Sequence, residues 1–400
     1  MPAFRHLLPI KFTGELGMTE KRLGIVMNGV TGRMGTNQHL VRSILKIMEQ
    51  GGVELADGTR VMPDPILVGR NRDKVETLAR AHGVERWTTD LDAAIADPAD
   101  ELFFDAASTH LRAGLLKQAI SAGKHVYCEK PSAGTLADAL DVYRAAQGAG
   151  IKHGVVQDKI FLPGLLKMKK LIDDGVLGRL LSVKIDFGYW VFEGDWREAQ
   201  RPSWNYRLAD DGGVLLDMMP HWRYVMDNVF GPVKSITSIA RVNFDKRWDE
   251  NGKEYVADAD DGSYAIVELE GGAVVQIFAS WCTRVRKDDL VTFHADGVLG
   301  AAVSGLTRCM VQDRAGTPSP VWNPDEPQTI DFFGTWAEYG ADMEFDNGFK
   351  TEWEMFIRSL HEDEPFKWSL REGAKGLQLA EAAMQSWRER RWVDITELEA

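Results

Sequence analysis

The sequence predicts an α/β fold, with a doubly wound parallel sheet first and a mostly antiparallel sheet after it. Three observations carry this expectation. Short apolar runs alternate with helical-period segments as far as residue 157. A glycine-rich turn joins the first run to the first helix. Beyond residue 180, strand-length runs follow one another with short connections.

The elements follow in order. Residues 22–28 (RLGIVMN) read as a buried strand. After the turn Gly29-Val30-Thr31-Gly32-Arg33-Met34-Gly35, the stretch 39–48 carries Leu40, Ile44, Leu45 and Met48 at helical spacing. Residues 51–64, rich in Gly, Asp and Pro, read as a loop insertion before a second strand at 65–69. Helices are expected at 73–82, 91–96, 111–122 and 136–149, and strands near 86–87 and at 102–107, 125–128 and 153–157. The later strands are 181–189, 234–243, 263–269, 273–280 and 290–295, with Gly271-Gly272 as a hairpin turn. Between the first two of these lies a helix bearing Asp217 and His221. Pro220 is awkward inside a helix, so that helix is expected to begin there, with Asp217 in the approach. Helices return at 349–360 and 373–389.

Four hundred residues exceed one ordinary core. The expected division is a tail or docking arm at 1–20, a nucleotide-binding unit at 21–157, a substrate-binding and oligomerisation unit at 158–345, and completing helices at 346–400. A net charge of -13 argues against nucleic-acid and anionic-membrane partners, which need a basic face. No apolar run is long enough to span a membrane. Cys128, Cys282 and Cys309 form no CxxC pair and read as reduced thiols of a cytoplasmic protein.

Gly29, Thr31, Gly32, Arg33, Met34 and Gly35 form a G-x-x-G-x-x-G turn between strand and helix. Glycines let the backbone approach a pyrophosphate, and the helix start supplies free N–H groups, so a dinucleotide is expected here. The second strand ends Val68-Gly69-Arg70-Asn71, without the acid that accepts the ribose hydroxyls of NAD. Arg70 is placed to pair a 2′-phosphate or to lie on the adenine, which leans toward NADP without excluding NAD. Asp73 beyond it reads as a helix cap.

Lys130, in KHVYCEKPSAG, follows a strand that should end at the ligand edge of the sheet. Glu129 is expected to orient its ammonium, and Pro131 to fix the turn, with a cis bond as one option. Asp217 and His221 stand four apart, on one helical face, in GGVLLDMMPHW. A histidine suits taking an alcohol proton at neutral pH, and a lysine beside it stabilises alkoxide charge or lowers the histidine pKa. Asp217 then orients the histidine or binds a neighbouring hydroxyl. No zinc-type ligand set is present.

Three segments, AGKHVYCEKP, LIDDGVLGRLLSVK and DGGVLLDMMPH, resemble the Gfo/Idh/MocA family of NAD(P)-dependent oxidoreductases, as does the closing LAEAAMQSWRERRWVDI. The resemblance spans about residues 22–395. It implies a Rossmann domain followed by an α/β domain with an open, mainly antiparallel sheet. That sheet often forms the dimer interface, so a homodimer or homotetramer is expected. It places Lys130, Asp217 and His221 in catalysis. Ser108, Thr109 and His110 stand where many members have a Thr-Pro and a later His, and fall beside the cofactor with Glu129 and Lys130. Asp158 and Lys159 lie near the family's Asn-x-Arg segment, and Asp211 replaces the first glycine of a usual triple.

Thirteen tryptophans and clustered arginines suggest a sugar site. Trp196, Arg197, Trp204, Tyr206, Arg207 and Trp281 are the candidate substrate contacts with Asp158 and Lys159, as aromatic faces and anion partners. Arg284, Arg286 and Lys287 form a second basic group. The leading function is oxidation or reduction at a hydroxyl carbon of a sugar, polyol or anionic sugar derivative. The alternative is a redox-neutral, NAD-dependent glycoside hydrolase, for example on a sulfoquinovoside. A third reading is a non-catalytic nucleotide sensor.

Overall fold

The computed structural model describes residues 19–362 and 364–399. The expected tail lies outside these residues, apart from Thr19 and Glu20.

The first half alternates strand and helix. Strand β1 (Glu20–Asn28) leads through the glycine turn to a π-wound helix, Gly35–Ile44, that continues as α1 (Leu45–Glu49). Then come β2 (Val53–Glu54), β3 (Arg60–Val68), α2 (Arg72–His82), β4 (Trp87–Thr88) and α3 (Leu91–Ala96). The series ends with β5 (Leu102–Asp105), α4 (Thr109–Ser121), β6 (His125–Cys128), α5 (Leu136–Gly148) and β7 (His153–Val155). The strands form one sheet ordered β2-β3-β1-β5-β6-β7, with β4 beside β3. All pairs are parallel except β2–β3. Leu23 to Asn28 of β1 are buried, as a central strand covered on both faces requires.

Two local expectations are corrected here. Residues 51–64 are not a loop insertion: they contain β2 and the start of β3, where buried Val53, Val61 and Pro63 alternate with partners that face out. Asp73 does not cap α2; the Asn71 side chain does, accepting from Lys74 N at 3.0 Å.

The second half begins with α6 (Pro163–Asp173) and β8 (Leu180–Gly188), then α7 (Val214–Val225) and β9 (Val233–Arg241). A two-stranded ribbon, β10 (Lys246–Trp248) and β11 (Glu254–Val256), precedes β12 (Gly262–Leu269) and β13 (Val274–Ser280). The last strands of the large sheet are β14 (Val291–Gly297), β15 (Gly300–Ser304), β16 (Cys309–Asp313) and β17 (Ala337–Glu338), the final three beyond those the sequence pattern marks. Helices α8 (Gly348–His361) and α9 (Leu370–Glu389) and the short β18 (Val393–Asp394) close the chain. The nine strands run β17-β16-β15-β14-β8-β13-β12-β9-β18. Only the β8–β13 pair is parallel, and Gly272 turns the β12–β13 hairpin at φ +81°.

Helices α7 and α9 cover one face of this sheet. Among the described residues the other face is open, with Ile239 and Tyr264 exposed beside Lys184 and Phe278 in a concavity of about 850 Å³. Helix α8 returns to the first sheet, where Trp353 and Phe356 pack on Phe104 and Tyr127. Cys128, Cys282 and Cys309 are unpaired, and burial pushes the Cys128 and Cys309 thiols up to about 12. No described helix is long and apolar enough to cross a membrane.

Candidate active site

The glycine turn is a tight cradle. Gly29 has φ +76°, and a Cβ there would meet the Ala106–Ala107 backbone at 2.5 Å. A Cβ on Gly35 would stand 2.5 Å from the Gly29 carbonyl. The helical winding begins at Arg33 and no side chain caps it; Thr36 N already donates to the Gly32 carbonyl at 2.8 Å, so the N–H groups left for a phosphate are those of Arg33 to Gly35. Thr31, Gly32 and Arg33 are exposed on the turn, with Met34 half-buried at the helix start. Exposed Arg70 stands just past β3, and Ser108, Thr109 and His110 open α4 beside β5. A cradle closed to side chains, an uncapped helix end and exposed flanking polar groups fit a dinucleotide pyrophosphate.

Lys130 follows β6 and precedes Pro131 through a cis peptide. Its ammonium donates to Asp217 Oδ1 at 2.7 Å and to the Asp217 carbonyl at 3.2 Å. Glu129 does not orient that ammonium. Its Oε2 accepts from the Lys130 backbone N at 3.0 Å and its Oε1 lies 2.8 Å from His39 Nε2. Trp353 Nε1 lies 3.0 Å from His39 Nδ1 on the far side, so the Lys130 backbone is braced from α8.

Helix α7 starts at Val214, not at Pro220, and Asp217 lies in its first turn. An outside group fixes this start. Asp260 accepts Val214 N at its carbonyl and Leu215 N at its carboxylate, at 2.9 and 2.8 Å. Gly213 has φ +119°, and a Cβ there would stand 2.4 Å from Asp260 Oδ1. Pro220 is tolerated in mid-helix against Gly376 of α9, where any added Cβ would meet the ring at 3.0 Å. Asp211, where the family has glycine, adopts left-handed φ +57°.

Asp217 does not orient His221 either. Its Oδ2 accepts from Arg201 Nη1 at 3.2 Å, and Arg201 also donates to the Tyr189 hydroxyl at 3.1 and 3.3 Å. Burial opposes ionisation of Asp217, but Lys130 and Arg201 more than offset it and hold the carboxyl far below the usual range. His221 is buried, with Nδ1 2.6 Å from the Tyr224 hydroxyl and 4.0 Å from Asp158 Oδ1. Burial first, then the Lys130 and Lys159 cations, push its pKa well below the usual value. Among the described residues its Nε2 has no hydrogen-bond partner. Asp158, also buried, turns Oδ1 to Tyr224 at 3.2 Å and Oδ2 to the Lys159 ammonium.

The sequence matches known proteins over the same regions. The family described as "Oxidoreductase family, NAD-binding Rossmann fold" matches residues 65–156, and the GFO/IDH/MocA C-terminal domain matches 165–301. The chain is 51% identical over 378 residues to D-xylose dehydrogenase of Paenarthrobacter nicotinovorans, covering 94% of this chain and 97% of that one. This chain belongs to the GFO/IDH/MocA oxidoreductase family. It is an NAD-dependent oxidoreductase with an N-terminal Rossmann sheet. Levoglucosan dehydrogenase of Pseudarthrobacter phenanthrenivorans is 23% identical over 360 residues, covering 84% of this chain and 90% of that one. A solved levoglucosan dehydrogenase, in complex with NADH and levoglucosan, shares the fold at TM-score 0.76 and 20% identity, covering 95% of this chain and all of that one.

In this GFO/IDH/MocA chain the expected substrate contacts do not gather at one place. Lys130, Asp158, Lys159, Asp217 and His221 cluster. Tyr206 and Trp281 do not present a face to a ligand: they are 2% and 0% exposed and pack edge-to-face under Arg201 and Arg247. Trp196 and Arg197 are exposed but pair with Phe192, and Arg207 lies over Tyr255. Trp204 is half exposed beside Asn205, which Arg201 contacts at 3.4 Å. Nor do the arginines form one anion site. Arg284 stacks on Trp190 at 3.8 Å, while Lys287 pairs with Asp186 near the open sheet face. Sequence reasoning missed the ties of Arg201 to Asp217 and of Tyr224 to His221. Tyr224 follows His221 by three positions on one helix, a spacing that marks a shared face. Arg201 sits in an irregular segment with no such signal.

Proposed function

We propose that this protein oxidises a sugar hydroxyl, with an aldopentose such as D-xylose as substrate. The observation that carries the reading is the Lys130–Asp217 contact. It joins the carboxyl edge of the nucleotide sheet to the helix that bears His221. The 51% identity to a D-xylose dehydrogenase supports the pentose. NAD, when bound, supplies the hydride acceptor, held by Gly29, Gly32 and Gly35 with Ser108, Thr109 and His110 alongside. Arg70, at a strand end (Val68-Gly69-Arg70-Asn71) that lacks an acid, leaves room for NADP as a second cofactor.

His221 takes the hydroxyl proton at Nε2. Its depressed pKa keeps the imidazole neutral and ready to accept. Lys130 has two of its three donors on Asp217 and directs the third to the substrate oxygen, where it stabilises alkoxide charge. Asp217, bridged between Lys130 and Arg201, holds the lysine in place. The open sheet face, with exposed Ile239 and Tyr264, is the proposed homodimer surface.

The test incubates purified protein with NAD or NADP and a panel of free sugars and aryl glycosides. Stoichiometric formation of reduced cofactor with D-xylose is the expected result. Release of an aglycone with no net reduction would replace this reading by the redox-neutral hydrolase.

A further inference from the structure

We propose that Tyr224 and Asp158 are positioning residues that set the tautomer of His221, keeping the proton on Nδ1 and Nε2 bare. The proposal rests on the reading of His221 as the base. It reassigns Asp158 from sugar contact to the far side of that base.

Counting hydrogens carries it. The Tyr224 hydroxyl has one hydrogen and faces three groups: His221 Nδ1 at 2.6 Å, Asp158 Oδ1 at 3.2 Å and the Lys159 backbone N at 3.2 Å. The backbone N–H can only donate, so it occupies one acceptor position of the hydroxyl oxygen. Asp158, paired through Oδ2 with Lys159, is a carboxylate and can only accept. If the hydroxyl donates to Asp158, then Nδ1 must donate to the hydroxyl, and every group has a partner. If the hydroxyl donates to Nδ1 instead, a buried carboxylate oxygen faces an oxygen lone pair with no hydrogen between them. The first arrangement leaves Nε2 unprotonated, which is the form a base needs.

The charges around the pair agree. Facing His221 are Lys130 after β6, Lys159 and Asp158 in the turn Asp158–Phe161, and Asp217 and Tyr224 on its own helix. Facing Asp158 are Lys159, His221 and Tyr224, with Glu129 after β6 and Glu352 of α8 behind it. Burial opposes the Asp158 charge, but Lys159 and His221 outweigh that and hold its pKa below the usual value. When the substrate O–H bond breaks and the Nε2–H bond forms, imidazolium charge appears 4.0 Å from Asp158 Oδ1. No proton need leave Nδ1 during this step. The cations Lys130 and Lys159 oppose that charge, so Asp158 and Asp217 are what make it tolerable.

The test uses the full protein with ¹⁵N-labelled histidine, the His221 signals being assigned by their loss in His221→Gln. Wild type is expected to show a neutral ring with the proton on Nδ1, a reading that needs no cofactor and no activity assay. Tyr224→Phe and Asp158→Asn are near-isosteric; each is expected to shift the signal toward the Nε2–H form. In the sugar-oxidation assay each is expected to lower kcat by about 10–100-fold, with KM and NADH affinity within about twofold. The acid limb of the Asp158→Asn profile moves to lower pH, since the imidazolium loses its counter-charge. A wild-type proton on Nε2 overturns the proposal, and so do variants with unchanged kcat and pH profile. Full activity in His221→Ala would instead sink the base assignment, while the tautomer measurement still decides the Tyr224–Asp158 arrangement on its own.

Discussion

His221 and Arg70 carry the predictions at the residue scale. His221→Ala removes the proposed proton acceptor, so kcat is expected to fall by about 10²–10⁴-fold. Titrating NADH by fluorescence should give an affinity near wild type, because the ring lies on α7 and not in the glycine cradle. Arg70→Asp puts an acid where the ribose edge is expected, and should lower use of NADP relative to NAD by about tenfold or more; an unchanged ratio of kcat/KM values would remove Arg70 from cofactor selection. Lys130, Asp217 and His221 were legible because each sits in a short distinctive run. Their pairing was not. The D-x-x-x-H spacing suggests an Asp–His contact, whereas Asp217 faces two cations and His221 turns to Tyr224. Spacing gives a shared face, but charge decides which partner the carboxylate takes.

Among the elements, the join of β7 to α9 offers a pH-dependent test. His153 Nδ1 lies 3.3 Å from the Leu370 backbone N at the start of α9, and the ring packs on Tyr143. Burial lowers its pKa to about 4. The unfolded chain binds this proton as pH falls below about 6.5, while the folded chain binds it only near the lower value. Its contribution is therefore fully present above that unfolded value and is lost on acidification, by on the order of 3 kcal/mol. Urea unfolding of wild type and His153→Gln at neutral and mildly acidic pH should show a shallower pH slope in the variant, the other histidines supplying the remainder. Most elements of both sheets could be read from period and turn residues. Beside the unread β15, β16 and β17, two failures share a cause. Residues 51–64 carry loop-like composition but form β2 and the start of β3, which pairs with β1, and α7 begins where Asp260 caps it from the loop before β12. Tertiary partners set both boundaries, and no local pattern encodes them.

For the whole molecule, the described residues leave one face of the second sheet uncovered. Exposed Ile239 and Tyr264 there sit opposite the helices that cover the other side. If this face joins two copies, Tyr264→Glu with Ile239→Asp should shift the mass measured by light scattering to that of a monomer, with the far-ultraviolet circular dichroism spectrum unchanged. An unaltered mass would move the interface elsewhere. The open sheet was foreseen from a family resemblance and not from the alternation of its strands, since a face that meets a partner and one that meets water carry similar mixtures of residues.

The brace behind Lys130 has a consequence for how the chain is made. His39, Phe104, Tyr127 and Glu129 belong to the first third of the sequence, but the groups that close over them, Trp353 and Phe356, belong to the last eighth. A ribosome that has finished the nucleotide-binding strands has yet to deliver their lid. The newborn Rossmann sheet waits through roughly two hundred further residues with an aromatic flank uncovered. Sealing that flank and bracing the Lys130 backbone both wait for α8, among the last elements to leave the ribosome.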